Sequence, residues 1–256
     1  MSGMVNPLPR TPLDVARLLA QFRTHATKAG FRIEDYGRAD AFPLLALTRR
    51  VAGIKPRIYL SAGIHGDEPA PPLALLELLQ AGCFDDRATW FLCPVLNPIG
   101  LQNGHREDAA QRDLNRDYQD RHTPEVRQHT AWLERQPPFD LTLCLHEDWE
   151  SHGFYLYELN PESRPGLADA MIDAVREVMP IESADVIDGR KADAPGIIRP
   201  VSDPLLRQNW PEAIYLRHFH TTLSYTLETP SALPLETRVA AMRLAVTTAL
   251  KHTARC

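Results

Sequence analysis

The stretch Arg57-Ile-Tyr-Leu-Ser-Ala-Gly-Ile64 runs without a break into His65-Gly-Asp-Glu68. Its first part is a short apolar run of the kind that forms a strand buried on both faces. Its last part sets an imidazole and a carboxylate three residues apart on a turn entering a helix. That helix is predicted over Pro69–Gln80, with its prolines confined to the first turn, where a missing N–H costs nothing.

The same alternation extends in both directions. Thr89–Leu96 reads as a second buried strand, ended by Asn97-Pro98. Leu141–Leu145 reads as a third, followed at its carboxyl end by His146-Glu-Asp-Trp-Glu150. Thr222–Leu227 is a strand that ends in Glu228. Phe42–Val51 and Phe154–Leu159 complete the strands. Helices are predicted over Leu13–Ala29, with Gly30 as the stop, and over Pro124–Arg135, Gly166–Met179 and Leu235–His252. Leu101–Arg121 is polar and reads as a long loop, of a length usually tied to function or disorder. Asp185–Ile214 holds four prolines and reads as irregular. The pattern predicts an α/β protein, a three-layer α/β/α sandwich around a central mixed sheet. It is expected to be one domain over residues 1–256, because the motifs spread from residue 65 to residue 228 must meet.

Composition removes several function classes. Of the 256 residues 44% are hydrophobic, enough for a core, and the formal net charge is -5. No long run of Lys or Arg marks a nucleic-acid footprint. No uncharged apolar stretch approaches the ~18 residues that would span a bilayer, and Met1–Arg10 lacks the basic start and apolar run of a signal peptide. Cys83, Cys93, Cys144 and Cys256 show no paired close spacing. Cys93 and Cys144 sit in apolar runs and read as core residues. A reduced, cytoplasmic setting is expected.

His65, His146 and Glu228 each follow a predicted strand, and in open α/β sheets ligands bind at the carboxyl ends of strands. A catalytic zinc takes three N or O ligands from protein and keeps a position open. His65, Glu68 and His146 fit that requirement. Taken alone, His65 and Glu68 also fit an ordinary surface pair, and Glu147 and Asp148 are alternative ligands or partners that fix the tautomer of His146. Arg106, Asn115 and Arg116 lie in the polar loop, where arginines can grip carboxylates or stabilise oxyanions. By composition alone that loop reads as solvated, since Arg112, Asp113 and Asp117 stand beside them. Glu228 reads either as a general base or as a cap on the turn at Thr229-Pro230-Ser231.

Together these residues resemble the zinc carboxypeptidase family, closest to its bacterial murein-peptide carboxypeptidase and succinylglutamate desuccinylase/aspartoacylase branches. The resemblance rests on Ser61-Ala-Gly-Ile-His-Gly-Asp-Glu68, Pro94-Val-Leu-Asn-Pro-Ile-Gly100, Arg106 to Asp113-Leu-Asn-Arg116, Leu143-Cys-Leu-His146 and Thr226-Leu-Glu228, in the family's order. It implies the phosphorylase/hydrolase-like sandwich and one zinc ion per chain on His65, Glu68 and His146. It implies Arg106 as the group that polarises the scissile carbonyl, Asn115 and Arg116 as the grip on the substrate's terminal carboxylate, and Glu228 as general base. Tyr215 is the nearest candidate for the mobile tyrosine of the digestive enzymes. Glu228 stands 28 residues before the last residue, Cys256, which leaves little room for the extra C-terminal β domain of the desuccinylase/aspartoacylase group.

The expected activity is that of a metallocarboxypeptidase, cutting an amide next to a free carboxylate in a small peptide. Three rivals stand beside it. An N-acyl amino acid deacylase would use the same groups. A binding protein that kept the fold would not need Glu228. A two-metal hydrolase would draw on Asp67, Glu147, Asp148 and Glu150.

Overall fold

The apolar run that opens the sequence reading becomes a central strand. In chain order the elements are α1 (Val15–Lys28), β1 (Arg32–Ala39), β2 (Phe42–Arg49), β3 (Arg57–Ser61), α2 (Ala70–Gln80), β4 (Thr89–Cys93), α3 (Pro98–Asn103), α4 (Pro124–Leu133), β5 (Leu141–Asp148), β6 (Tyr155–Leu159), α5 (Ala168–Val175), β7 (Val186–Ile187), β8 (Arg190–Lys191), β9 (Ile197–Ile198), α6 (Glu212–Phe219), β10 (Ser224–Pro230) and α7 (Leu235–Thr253). The computed structural model describes residues 12–200 and 204–253. The expectations placed on Met1–Arg10 and on Cys256 lie outside them.

Eight strands form one mixed sheet in the order β1-β2-β4-β3-β5-β10-β6-β9. β4, β3, β5 and β10 run parallel to one another. β2 joins β4, and β6 joins β10, in antiparallel pairs. β7 and β8 make a separate two-stranded hairpin.

Side chains alternate across the pleat, so the sheet builds two cores. Ile58 and Leu60, Trp90 and Leu92, Leu141, Leu143 and Leu145, and Tyr225 and Leu227 face a layer built from α1, α2, α5 and α7. Tyr59, Phe91, Cys93 and Cys144 face α4, α6 and the segment around Tyr118. Both faces of the central strands are therefore covered, which explains their unbroken apolar sequence. This is the α/β/α sandwich expected. Cys93 and Cys144 are buried and unpaired, as expected of core residues. No described helix is long and apolar enough to cross a membrane.

Leu143 is fully buried at the middle of β5. Its replacement by alanine is expected to cost about 2–5 kcal/mol, read as a lower denaturant midpoint at unchanged slope. A loss under about 1 kcal/mol would mean that this core is not close-packed.

Several expectations need correction. Arg32–Ala39 forms the edge strand β1, which has no apolar run because most of its residues are half-buried or exposed and its register slips between Asp35 and Gly37. The loop expected over Leu101–Arg121 begins inside α3 and carries a single helical turn at Leu114–Arg116. The irregular region contains β7, β8 and β9 and the first residues of α6. β5 and β10 run past their apolar stretches, so His146 and Glu228 lie within strands and not after them.

Candidate active site

The chain leaves β3 at Ser61 and turns through His65-Gly66-Asp67-Glu68 into α2. Gly66 is required there by space: a Cβ would stand 1.9 Å from the main-chain carbonyl carbon of Gly100. The Gly66 N–H donates to the Arg106 carbonyl at 3.4 Å. Asn97 caps α3 by accepting from the Gly100 N–H at 2.9 Å, and its amide donates to the carbonyls of Arg106 and Glu107. These contacts bring the polar segment onto the turn. Arg106 Nη1 lies 3.6 Å from Glu68 Oε1.

His65, Glu68 and His146 are all buried and offer ligand atoms within 4.8 Å of one another. His65 Nδ1 is 2.5 Å from Glu68 Oε1, and His146 Nδ1 is 3.1 Å from Glu68 Oε2. The His65 Nε2–H faces Asp113 Oδ1 at 3.2 Å, which leaves the Nδ1 lone pair of the neutral ring pointing at Glu68. His65 thus lies between two carboxylates, so either neutral tautomer sets a lone pair against one of them, while a neutral His146 can donate its Nδ1–H to Glu68. Such a group is stable only around a positive charge, a proton or a metal cation. Burial opposes ionisation of Glu68, yet His65 and His146 hold its carboxyl well below the usual range. Burial also opposes a charge on His65, but Glu68 raises it. At His146 burial prevails and lowers it. Two imidazole nitrogens and one carboxylate are the donor set of a catalytic zinc site. Among the described residues this is the one group of its kind, and Asp148 and Glu150 line the same cavity outside it.

The loop that composition reads as solvated is wired into this centre. Asp113 accepts from His65, from Arg106 Nε at 3.1 Å and from the Asn115 N–H at 2.8 Å. Despite its burial, the bond from His65 and the charge of Arg106 keep the Asp113 carboxyl far below its usual range. Asp108 likewise holds Arg112.

β10 pairs with β5 so that Glu228 stands directly beside His146. Both side chains fall on the face that also carries Tyr59 and Cys144. Burial, then the charges of Glu68 and Asp148, push the Glu228 carboxyl well above its usual value. His65, Glu68, His146, Glu228, Arg106, Asn115 and Arg116 all line one cavity of about 540 Å³.

Tyr215 does not join them. It is fully buried in the second core, 5.7 Å from the Tyr118 ring and under the Arg121 guanidinium. Its α6 neighbours Ala213 and Ile214 reach the cavity instead. The tyrosines that do line it are Tyr155 and Tyr157 on β6. Tyr155 pairs opposite Glu228 and donates to Asp148 Oδ2 at 2.9 Å. Glu147 is not the partner of His146: strand alternation turns it to the other face, where it accepts from the Ala70 N–H at 2.6 Å and pairs with Arg238. Arg190 and Arg207 also line the cavity and were missed. They come from the region without a sequence pattern, and their only signal was their charge.

A family model described as the succinylglutamate desuccinylase/aspartoacylase catalytic domain matches residues 54–181. No curated protein matches the sequence. Among solved structures, one from Shewanella denitrificans, named as a candidate metallopeptidase, is similar over 100% of both chains at 22% identity with a TM-score of 0.85. A second so named, from Shewanella amazonensis, covers 93% of each chain at 24% identity with a TM-score of 0.82. The metallo-carboxypeptidase of Pseudomonas aeruginosa, in complex with (2-guanidinoethylmercapto)succinic acid, is 18% identical over 95% of this chain and 70% of its own, with a TM-score of 0.67. At these identities the likeness is one of fold.

Proposed function

Because the chain belongs to the succinylglutamate desuccinylase/aspartoacylase catalytic-domain family, we propose that it hydrolyses an amide bond next to a free carboxylate in a small acidic substrate, as a zinc metallocarboxypeptidase does. The observation that carries this reading is the meeting of His65, Glu68 and His146 with Glu228 and Arg106 in the cavity that Asn115 and Arg116 also line.

His65, Glu68 and His146 would hold the ion. When bound, zinc would polarise the scissile carbonyl and make water more acidic at neutral pH. The remaining work belongs to the chain. Asn115 and Arg116 bind the free carboxylate and so set the position of the amide. Arg106 lines the cavity beside Glu68 and donates to the oxygen on which charge develops. Glu228 takes the proton of the attacking water and returns it to the leaving nitrogen. A positioned carboxylate can act as base in the first step and as acid in the second. Asp113 keeps His65 and Arg106 in place.

The acidic preference is supported by three arginines. Arg116, Arg190 and Arg207 line the same cavity, and none of them is ion-paired to a carboxylate of the described residues. Burial and the like charges of Arg190 and Arg116 lower the Arg207 guanidinium against the opposite charge of Asp188, so a second anion there would relieve the remaining repulsion. The family match favours a second reading on the same groups, an N-acyl amino acid deacylase.

The test is a screen of the zinc-loaded protein against peptides ending in Asp or Glu, N-acyl derivatives of the same two residues, and neutral analogues of both kinds. Acidic members are expected to lead. Arg207→Ala should lower kcat/KM for them by roughly 10–10²-fold, the loss of about 1.5–3 kcal/mol from a hydrogen bond to a charged group. Neutral members should be unaffected. Equal losses across the panel would remove the acidic preference, and preference for one kind of substrate decides between peptidase and deacylase.

A further inference from the structure

One buried carboxylate has no part in the mechanism above. Glu212, the first residue of α6, is 1% exposed. No cation among the described residues pairs with it. Its Oε1 accepts from the Tyr59 hydroxyl at 2.7 Å and its Oε2 from the Ser61 hydroxyl at 2.8 Å. Tyr59 has given its only proton to Glu212, so it accepts from His129 Nε2–H at 3.0 Å. His129 Nδ1 then accepts from the Tyr118 hydroxyl at 2.8 Å. Burial holds His129 neutral, its pKa pushed down to about 3. A one-way chain of hydrogen bonds thus runs Tyr118, His129, Tyr59, Glu212.

The chain ties down both ends of one short segment. The Glu212 main-chain N–H, an orphan donor at a helix start, donates to Asn115 Oδ1 at 2.9 Å. That commits the amide oxygen, so the donor Asn115 can offer to a carboxylate in the cavity it lines is its NH2 group. Tyr118, three residues on, is held through His129. The other anchor is β3, since Tyr59 and Ser61 share its face, and β3 is the strand that leads into His65.

We propose that Glu212 is a positioning residue: by clamping the Asn115–Tyr118 segment to β3, it sets where the substrate's carboxylate is held relative to the His65–Glu68–His146 centre. This rests on the reading of Asn115 as a carboxylate grip. A buried carboxylate suits the task because its two oxygens accept from two hydroxyls on one strand, which fixes the place of the main-chain N–H that orients the asparagine. An apolar residue of similar size would fill the space and leave Tyr59 and Ser61 without an acceptor, which a buried hydroxyl tolerates poorly.

The experiment compares Glu212→Leu and Glu212→Gln in the zinc-loaded full chain on the best acidic substrate of the panel. Glu212→Leu is expected to raise KM about tenfold or more with kcat within about threefold. Glu212→Gln keeps an acceptor for Tyr59 and should restore KM to within about threefold of the original. Should Glu212→Leu lose its folded circular dichroism, Tyr59→Phe carries the same expectation at about threefold in KM. Unchanged KM in these variants would overturn the proposal. So would a fall in kcat without a rise in KM, or a glutamine variant as impaired as the leucine one. If the original protein turns over no member of the panel, the function proposed above has failed on its own. The same ratios are then read from the Kd of succinate, a dicarboxylate probe, by calorimetry.

Discussion

Glu228→Gln is expected to keep one metal ion per chain and to lose about 10²–10⁴-fold in kcat, the usual contribution of a general base. The glutamine has nearly the same shape, so the cavity and the pairing of β10 with β5 should persist. What it lacks is the ability to take a proton. Glu228 is outside the three-donor group, so metal content should be indifferent to the change. It stands beside His146 in register, opposite Tyr155, and lines the cavity. Two measurements on one preparation decide it, elemental analysis and turnover on the leading substrate. Normal metal with kcat within tenfold of the original would remove Glu228 from the mechanism. Loss of metal would mean that Glu228 is itself a ligand.

His65→Ala is expected to abolish stoichiometric metal binding. Changing a partner that only orients a metal-bound histidine typically costs 10–100-fold in affinity, which is the loss expected for Asp113→Asn. Removing the histidine should cost more. It also removes one of the two neighbours that hold the buried Glu68 carboxyl below its usual range. Zinc should raise the Tm of the original protein by mass action and should leave that of His65→Ala unmoved. One zinc per chain, lost in the variant, is the expected count. Two ions per chain would call for a co-catalytic centre, and a variant that still binds one ion would shift the site away from His65.

The central strands were legible because burial on both faces leaves an unbroken apolar signature. β1 was not, because an edge strand with a register slip needs no such run. The three donors and Glu228 were legible from the resemblance and from their places near strand ends, although β5 and β10 carry His146 and Glu228 inside the sheet. Tyr215 shows the limit of that reading. Position along the chain made it the nearest tyrosine to Glu228, but α6 turns it into the second core. The antiparallel pairing of β6 with β10 brings Tyr155 to the cavity opposite Glu228.

The sequence by itself determined which chemical groups this protein can bring to a site, and the alternation that makes an α/β sandwich. Only the tertiary structure decided where those groups point. Strand alternation sends His146 to the cavity and Glu147 to Arg238 on the far face. Asp113 becomes the partner of His65 across 48 residues, and Glu212 that of Tyr59 across 153. The physical reason is that the cost of burying a carboxylate is offset by whichever donors the packed chain brings within about 3 Å, and those donors come from distant segments that no local pattern connects.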